Sequence, residues 1–218
     1  MFSLKIKKQQ VLDLVNKEKF FVLVCEGCNE VKFVRDEILS FIKTLPKENI
    51  LDFEVVDYLC NPDFVKLYIN SLSKKLQVVD SILVFSCGVG ISTVAKSTDK
   101  KVLSGCDTFY IPGYKGLNVS YNGKFDCVLC GDCYLNYTAG ICPITSCSKS
   151  LLNGPCGGAK NGKCEVDKEM DCGWEKIYLR LKKLGKTENI KKLIKIRDYF
   201  KMYVKPELKN TEFYDIEK

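Results

Sequence analysis

SILVFSCGVGISTVAK, residues 81 to 96, reads as one structural unit. An apolar run of strand length, Ser81 to Ser86, meets a cysteine, and a glycine-opened segment then brings apolar residues back at helical spacing. A buried strand feeding a helix through a short turn is the repeating unit of a parallel sheet. The same unit recurs twice upstream. FFVLVC, Phe20 to Cys25, is a buried strand, and the residues after it place Val31, Val34, Ile38, Phe41 and Leu45 on one helical face before Pro46. ILDFEVV, Ile50 to Val56, is another strand, followed by a helix from about Pro62 with Phe64, Tyr68, Leu72 and Leu76 at three-to-four spacing. Proline suits the first turn of that helix. The β-α-β-α-β-α order predicts an α/β fold over residues 1–118: a small parallel sheet with right-handed crossovers, a flavodoxin- or Rossmann-like half.

Downstream the pattern changes. From Tyr121 to Cys172 the chain is rich in Gly, Cys, Asn and Pro, with few large apolar residues, so residues 119–173 are expected to be a Cys-rich segment ordered by metal rather than by burial. In residues 174–218, Trp174, Ile177, Tyr178, Leu181 and Leu184 resume helical spacing up to Gly185, a second helix is predicted from about Thr187 to Tyr203, and a polar tail follows.

The chain has 218 residues, enough to bury a core without covalent staples, so its 13 cysteines are not needed to rescue a tiny fold. Dense thiols mean secreted disulfides or, in a reducing compartment, metal and redox chemistry. The N-terminal MFSLKIKKQQ lacks the apolar core of a signal peptide, and no run reaches membrane-span length, which predicts a cytoplasmic protein with no membrane association. There is no histidine, which removes Ser-His and Cys-His nucleophiles and every mixed Cys-His zinc site. Metal here would be held by thiolate. The formal charge of +7 comes from 34 basic residues spread among 27 acidic ones, too diluted to indicate a nucleic-acid partner.

The cysteines fall into two constellations. Cys25 and Cys28 close the first predicted strand, Cys60 lies just past the second and Cys87 closes the third. In a parallel sheet these loops share the carboxyl edge, where α/β folds assemble their sites. The alternative is that Cys60 or Cys87 merely packs as a small hydrophobe, the role expected for Cys106. The second constellation is local: Cys127, Cys130 and Cys133 in consecutive CxxC steps, then Cys142 before Pro143, Cys147, Cys156, Cys164 and Cys172. A CxxCxxC run resembles the loops that wrap a 4Fe-4S cubane, whereas zinc usually takes paired CxxC knuckles. These eight residues could make two four-ligand sites, three with the carboxyl-edge group, and spacing does not say which cysteine joins which. Thiolate-only sites suit iron-sulfur clusters or zinc, and both remain open.

Gly88 and Gly90 invite a dinucleotide reading, but Thr93 stands where the third glycine would be. Beside Cys87 they are better read as letting backbone approach a cofactor cluster. The lysines from Lys182 to Lys205 read as a solvated helix face.

At GICPITSCSKSLLNGPCGG, GKCEV and DCGWEKIYLRLK, together with CEGC, SCGVG and CVLCGDC in the same order, the sequence closely resembles the MetV-type small subunit of bacterial methylenetetrahydrofolate reductase, an iron-sulfur or zinc protein of acetogens and related anaerobes. Where an arginine is common in that family, Ser146 stands here. The resemblance implies a heteromer in one-carbon metabolism. Its partner would be the TIM-barrel subunit that carries FMN or FAD and makes methyltetrahydrofolate, with a further electron-donor protein behind it. This chain would carry electrons on two or more 4Fe-4S clusters and would not be active alone. The alternative is a zinc-stapled docking subunit without a redox role. No acid, base or phosphate cradle stands out, which agrees with an accessory subunit.

Overall fold

The computed structural model describes residues 2–15, 18–26, 28, 31–110, 127–194 and 196–202. Four parallel strands form the main sheet: β2 (Phe20–Glu26), β4 (Ile50–Asp57), β5 (Ser81–Phe85) and β6 (Lys101–Ser104), in the order β4-β2-β5-β6. This is the flavodoxin-like order, in which the chain reverses its direction of growth between β2 and β5. Before these come β1 (Phe2–Ile6) and α1 (Lys8–Val15); β3 (Val31–Lys32) and β7 (Cys106–Tyr110) complete a second sheet, β3-β1-β7. β1 runs parallel to β3 and antiparallel to β7.

Strand β2 shows why the sheet is central. Phe20, Phe21, Val22 and Leu23 are wholly buried, and alternate residues enter different cores. Phe20, Val22 and Val24 pack with Val11 and Val15 of α1 and with Ile38, Phe41 and Ile42 of α2 (Arg35–Lys43). Phe21, Leu23 and Cys25 pack with Val65 of α3 (Pro62–Ser71), Leu76 of α4 (Ser73–Gln77), and Ile91 and Val94 of α5 (Gly88–Lys96). Each such side chain contributes about 1.5–3 kcal/mol of burial, so both faces of β2 are strongly held.

A third apolar cluster lies beyond the sheet. Tyr134, Ala139 and Ile144 pack with Trp174, Ile177 and Leu181 of α7 (Gly173–Lys183) and with Leu193. The few large residues of the Cys-rich segment thus meet α7 and form a small core. The segment also docks on the α/β unit. Asn136 accepts from the Ser104 N–H (2.6 Å) and donates to the Ser104 carbonyl (3.2 Å), while Ser92 donates to the Gly140 carbonyl (3.0 Å). Arg180 of α7 donates to the carbonyls of Ala139 (2.8 Å) and Thr98 (3.0 Å).

The three long strands and α5 lie where the sequence places them, within one or two residues. Other elements differ. Val31 is not on the helix but in β3, because α2 begins only at Arg35. Phe64 faces solvent and Val65 fills the core in its place, while Leu72 and Leu76 are buried as expected. The helix expected from Thr187 to Tyr203 is two short 3₁₀ segments, Thr187–Leu193 and Tyr199–Met202, with only Leu193 of the first buried. Short lysine-rich segments with so little apolar face gain little from helical continuation. The boundary expected at residue 118 and the polar tail from 203 onward lie outside the described residues. Among the described residues no helix is long and apolar enough to cross a membrane.

Candidate metal-binding thiol sites

The carboxyl edge of the main sheet carries the first group of thiols. Cys25 lies in β2, Cys28 follows it, and Cys87 occupies the position before α5. Cys60 sits in a tight turn after β4. Tyr58 adopts a positive φ of 50°, the Asn61 N–H donates to the Tyr58 carbonyl (2.8 Å), and the Asn61 side chain caps α3 by accepting from the Asp63 N–H (2.9 Å). A non-glycine residue in that conformation carries strain that the cap helps to offset.

These thiols sense one another. Burial pushes the Cys25 thiol from 9.0 up to about 12, and charge on Cys87 and Cys60 adds to the rise. The Cys60 thiol is raised by burial and then by Cys87 and Cys28. Burial also raises Cys87, whose pKa is pulled back by the Gly90 and Val89 N–H groups at the start of α5. Ser86 Oγ, fully buried, has no hydrogen-bond partner of ordinary geometry among the described residues; it faces Cys25 and Cys87, lowering the pKa of both. Gly90 is required beside it: a Cβ there would stand 2.3 Å from Ser86 Oγ and 3.1 Å from the Leu59 side chain.

The second group surrounds a hollow lined by Cys127, Cys130, Cys133 and Cys142, with Gly88, Thr108 and Tyr134. The CxxCxxC loop is shaped by positive φ at Leu129 (53°) and Gly131 (67°), and the approach to Cys142 by Ala139 (53°) and Gly140 (85°). The Leu129 N–H donates to Cys127 Sγ (3.4 Å). Burial raises Cys127 well above its ordinary value, and charge on Cys87, Cys133 and Cys142 raises it further. Burial likewise pushes Cys133 up to about 11, with Lys7 opposing the rise.

The third group lines a separate hollow: Cys147, Cys156, Cys164 and Cys172, beside Trp174 and the paired Lys149 and Glu165. A turn with positive φ at Asn161 (52°) and Gly162 (80°) brings Lys160 and Lys163 together between Cys156 and Cys164. The Gly158 N–H donates to Cys156 Sγ (3.4 Å). Cys164 is the thiol whose pKa is lowered, first by the Ser148 hydroxyl 3.4 Å away and then by the Asp167 and Val166 N–H groups.

Twelve cysteines thus gather in three groups of four, and helix α6 (Pro143–Ser146) separates the last thiol of the second group, Cys142, from the first of the third, Cys147. Cys106 stands apart in β7, buried in the core with its pKa raised well above normal, as a packing residue. Among the described residues no three Cys, Asp or Glu side chains stand ready to grip a metal ion. The chemistry of the donors suits one nonetheless: all four donors in each group are thiols, and in every group a backbone N–H points at a sulfur, as at thiolate ligands. Gly88 completes the fit, since a Cβ on it would stand 2.8 Å from Cys127 Sγ and intrude on the second hollow. Gly88 and Gly90 thus serve thiol and hydroxyl packing. Sequence reasoning missed Ser86, Lys7 and Asp107, none of which carries a spacing signal.

Fold and thiols together define a class: a flavodoxin-like α/β protein whose sheet edge and appended segment present cysteine-only sites. Comparison with known families narrows this. Residues 105–200, less than half of the chain, match the family described as methylene-tetrahydrofolate reductase C terminal. Over that segment the chain is similar to this family, and the match spans the second and third thiol groups but not the first. No curated protein and no solved structure matches the chain.

Proposed function

We propose that this chain is the iron-sulfur electron-transfer subunit of a methylenetetrahydrofolate reductase complex. The observation that carries the reading is the contiguity of the first two thiol groups: Cys87 belongs to one, and Gly88, its neighbour, lies against Cys127 of the other. Docking zinc sites need no such adjacency, whereas electron carriers do. Cys25, Cys28, Cys60 and Cys87 would hold one cluster, and Cys127, Cys130, Cys133 and Cys142 a second; Cys147, Cys156, Cys164 and Cys172 would hold zinc or a third. When bound, such clusters supply one-electron transfer at a potential set by charge, hydrogen bonding and solvent access.

The chain's own residues would hold the thiolates, aim N–H groups at them and exclude water with Tyr134 and Leu135. Converting a methylene to a methyl group on folate takes two electrons and two protons, one proton delivered with the electron pair as hydride. The described residues offer no hydride donor, so a flavin on a barrel partner would collect the electrons singly and pass them on as a pair. A low-potential one-electron donor protein would supply them. The match to a reductase C-terminal family supports the partner class.

The test is stopped-flow reduction of the barrel subunit's flavin, with and without this chain, after labile sulfide has been measured in anaerobically purified protein. Faster flavin reduction in its presence, lost in Cys130→Ser, is expected. A colourless zinc protein without sulfide would establish the docking reading instead.

A further inference from the structure

Behind the Cys127–Cys142 hollow lies an ion pair that the functional reading leaves unused. Lys7 Nζ is 3.3 Å from Asp107 Oδ1, and the two side chains are only 9% and 19% exposed. Both grip the backbone of one cysteine. The Cys133 N–H donates to Asp107 Oδ1 (2.8 Å), and Lys7 Nζ donates to the Cys133 carbonyl (3.0 Å).

The pair is held by the second sheet. β1 and β7 pair in antiparallel register, with Lys5 opposite Asp107 and Ile6 opposite Cys106. Lys7 follows β1, its N–H donating to the Gly105 carbonyl (2.9 Å) and its carbonyl accepting from Val11 at the start of α1 (2.9 Å). The second sheet thus serves to deliver one positive and one negative charge to the same ligand. Nearby, Asp132 pairs with Lys201 (3.1 Å), which also feels the charge of Asp107, and Arg197 lowers the pKa of Cys130.

A backbone clamp alone does not call for a buried ammonium, because an amide side chain would bond the same carbonyl without the desolvation cost of a charge. A charge beside a redox centre does something an amide does not: it shifts the balance between oxidised and reduced states, since reduction adds one negative charge to a centre already surrounded by thiolates.

We infer that the Lys7–Asp107 pair is a positioning and potential-setting device for a cluster on Cys127, Cys130, Cys133 and Cys142, with Lys7 favouring the reduced state and Asp107 opposing it. The inference rests on the cluster reading above. Lys7→Gln keeps a donor for the Cys133 carbonyl but removes the positive charge; Asp107→Asn keeps an acceptor for the Cys133 N–H but removes the negative one.

Potentiometric titration followed by electron paramagnetic resonance, on the full chain, gives the test, with the relevant signal identified as the one lost in Cys127→Ser. At a fixed potential the reduced-to-oxidised ratio should fall about tenfold in Lys7→Gln and rise about tenfold in Asp107→Asn, shifts of about 59 mV in opposite directions for a one-electron couple. The double variant should return toward the parent, and Lys7→Arg should restore it. Shifts of the same sign, no shift, or loss of iron from both single variants would mark the pair as a merely structural clamp and overturn the inference while leaving the cluster reading intact. A parent protein with no iron, sulfide or reducible signal would overturn both.

Discussion

A Cβ placed on Gly88 would stand 2.8 Å from Sγ of Cys127, so the start of α5 is in direct contact with the thiol-rich segment. The same glycine donates its N–H to Thr108 Oγ1 (3.0 Å), and no side chain fits between α5 and that sulfur without displacing one of them. Gly88→Ala should therefore destabilise the fold by about 1–3 kcal/mol, the usual cost of overpacking, and should lower metal content at the second thiol group more than at the third. Metal and sulfide analysis beside circular dichroism checks this. Full metal content in Gly88→Ala would show that the segment shifts freely.

Cys60 and Cys106 should separate ligand from filler. The Cys60 thiol is raised first by burial of its sulfur and then by the charges of Cys87 and Cys28, while Cys106 is buried in the core and lies in β7. Cys60→Ser should lose as much iron as Cys28→Ser. Cys106→Ser should keep its iron and lose about 1–3 kcal/mol, because its hydroxyl enters an apolar site. The checks are iron content and denaturant midpoint for each variant.

The raised thiols carry a pH signature. Cys25 at about 12 and Cys133 at about 11 stay protonated in the metal-free fold after their unfolded counterparts have ionised near 9.0. Their contribution to stability is complete below that value and is lost as pH rises toward 11–12, so the metal-free protein should weaken progressively above about pH 9. Metal uptake must displace these protons, so metal affinity should still be climbing at pH 8–9. Cys164, with its lowered pKa, should be alkylated ahead of Cys25 at neutral pH. Mass-spectrometric mapping of timed alkylation reads the order.

Trp174 reports on the third group. It is the chain's single tryptophan, is 2% exposed, donates through Nε1 to the Leu151 carbonyl (3.0 Å) and lines the hollow with Cys147, Cys156, Cys164 and Cys172. Chelation should change its fluorescence, and Cys156→Ser should reproduce the change without chelator. Unaltered emission in both would detach this hollow from any metal.

Arg180 joins α7 to the carbonyls of Ala139 and Thr98, bridging the Cys-rich segment and the α5–β6 connection. Arg180→Met should cost about 1.5–3 kcal/mol, as expected for a half-buried charged donor whose acceptors are left unmet. Limited proteolysis should then cut first within residues 127–172 while the sheet persists.

Local pattern was enough for the central sheet. Phe20 to Cys25 and Ser81 to Phe85 are strands whose runs are apolar on both faces, Ile50 to Val56 is an edge strand with Asp52 and Glu54 among its apolar residues, and α5 follows its glycines; each signal lies within a few residues. The placement of Cys25, Cys28, Cys60 and Cys87 at one edge followed from the parallel order alone, since every such strand ends on the same side. The lack of histidine left thiolate as the donor wherever metal binds. The grouping of the other eight cysteines was a different matter, because equal spacings allow many pairings. It was decided by positive-φ residues at Leu129, Gly131, Ala139, Gly140, Asn161 and Gly162, and by the apolar contact of Tyr134 and Ile144 with α7. The β3-β1-β7 sheet and the Lys7–Asp107 pair were equally invisible: β1 lies about a hundred residues from β7, as Lys7 does from Asp107, and no short-range periodicity encodes a pairing that only the folded chain brings together.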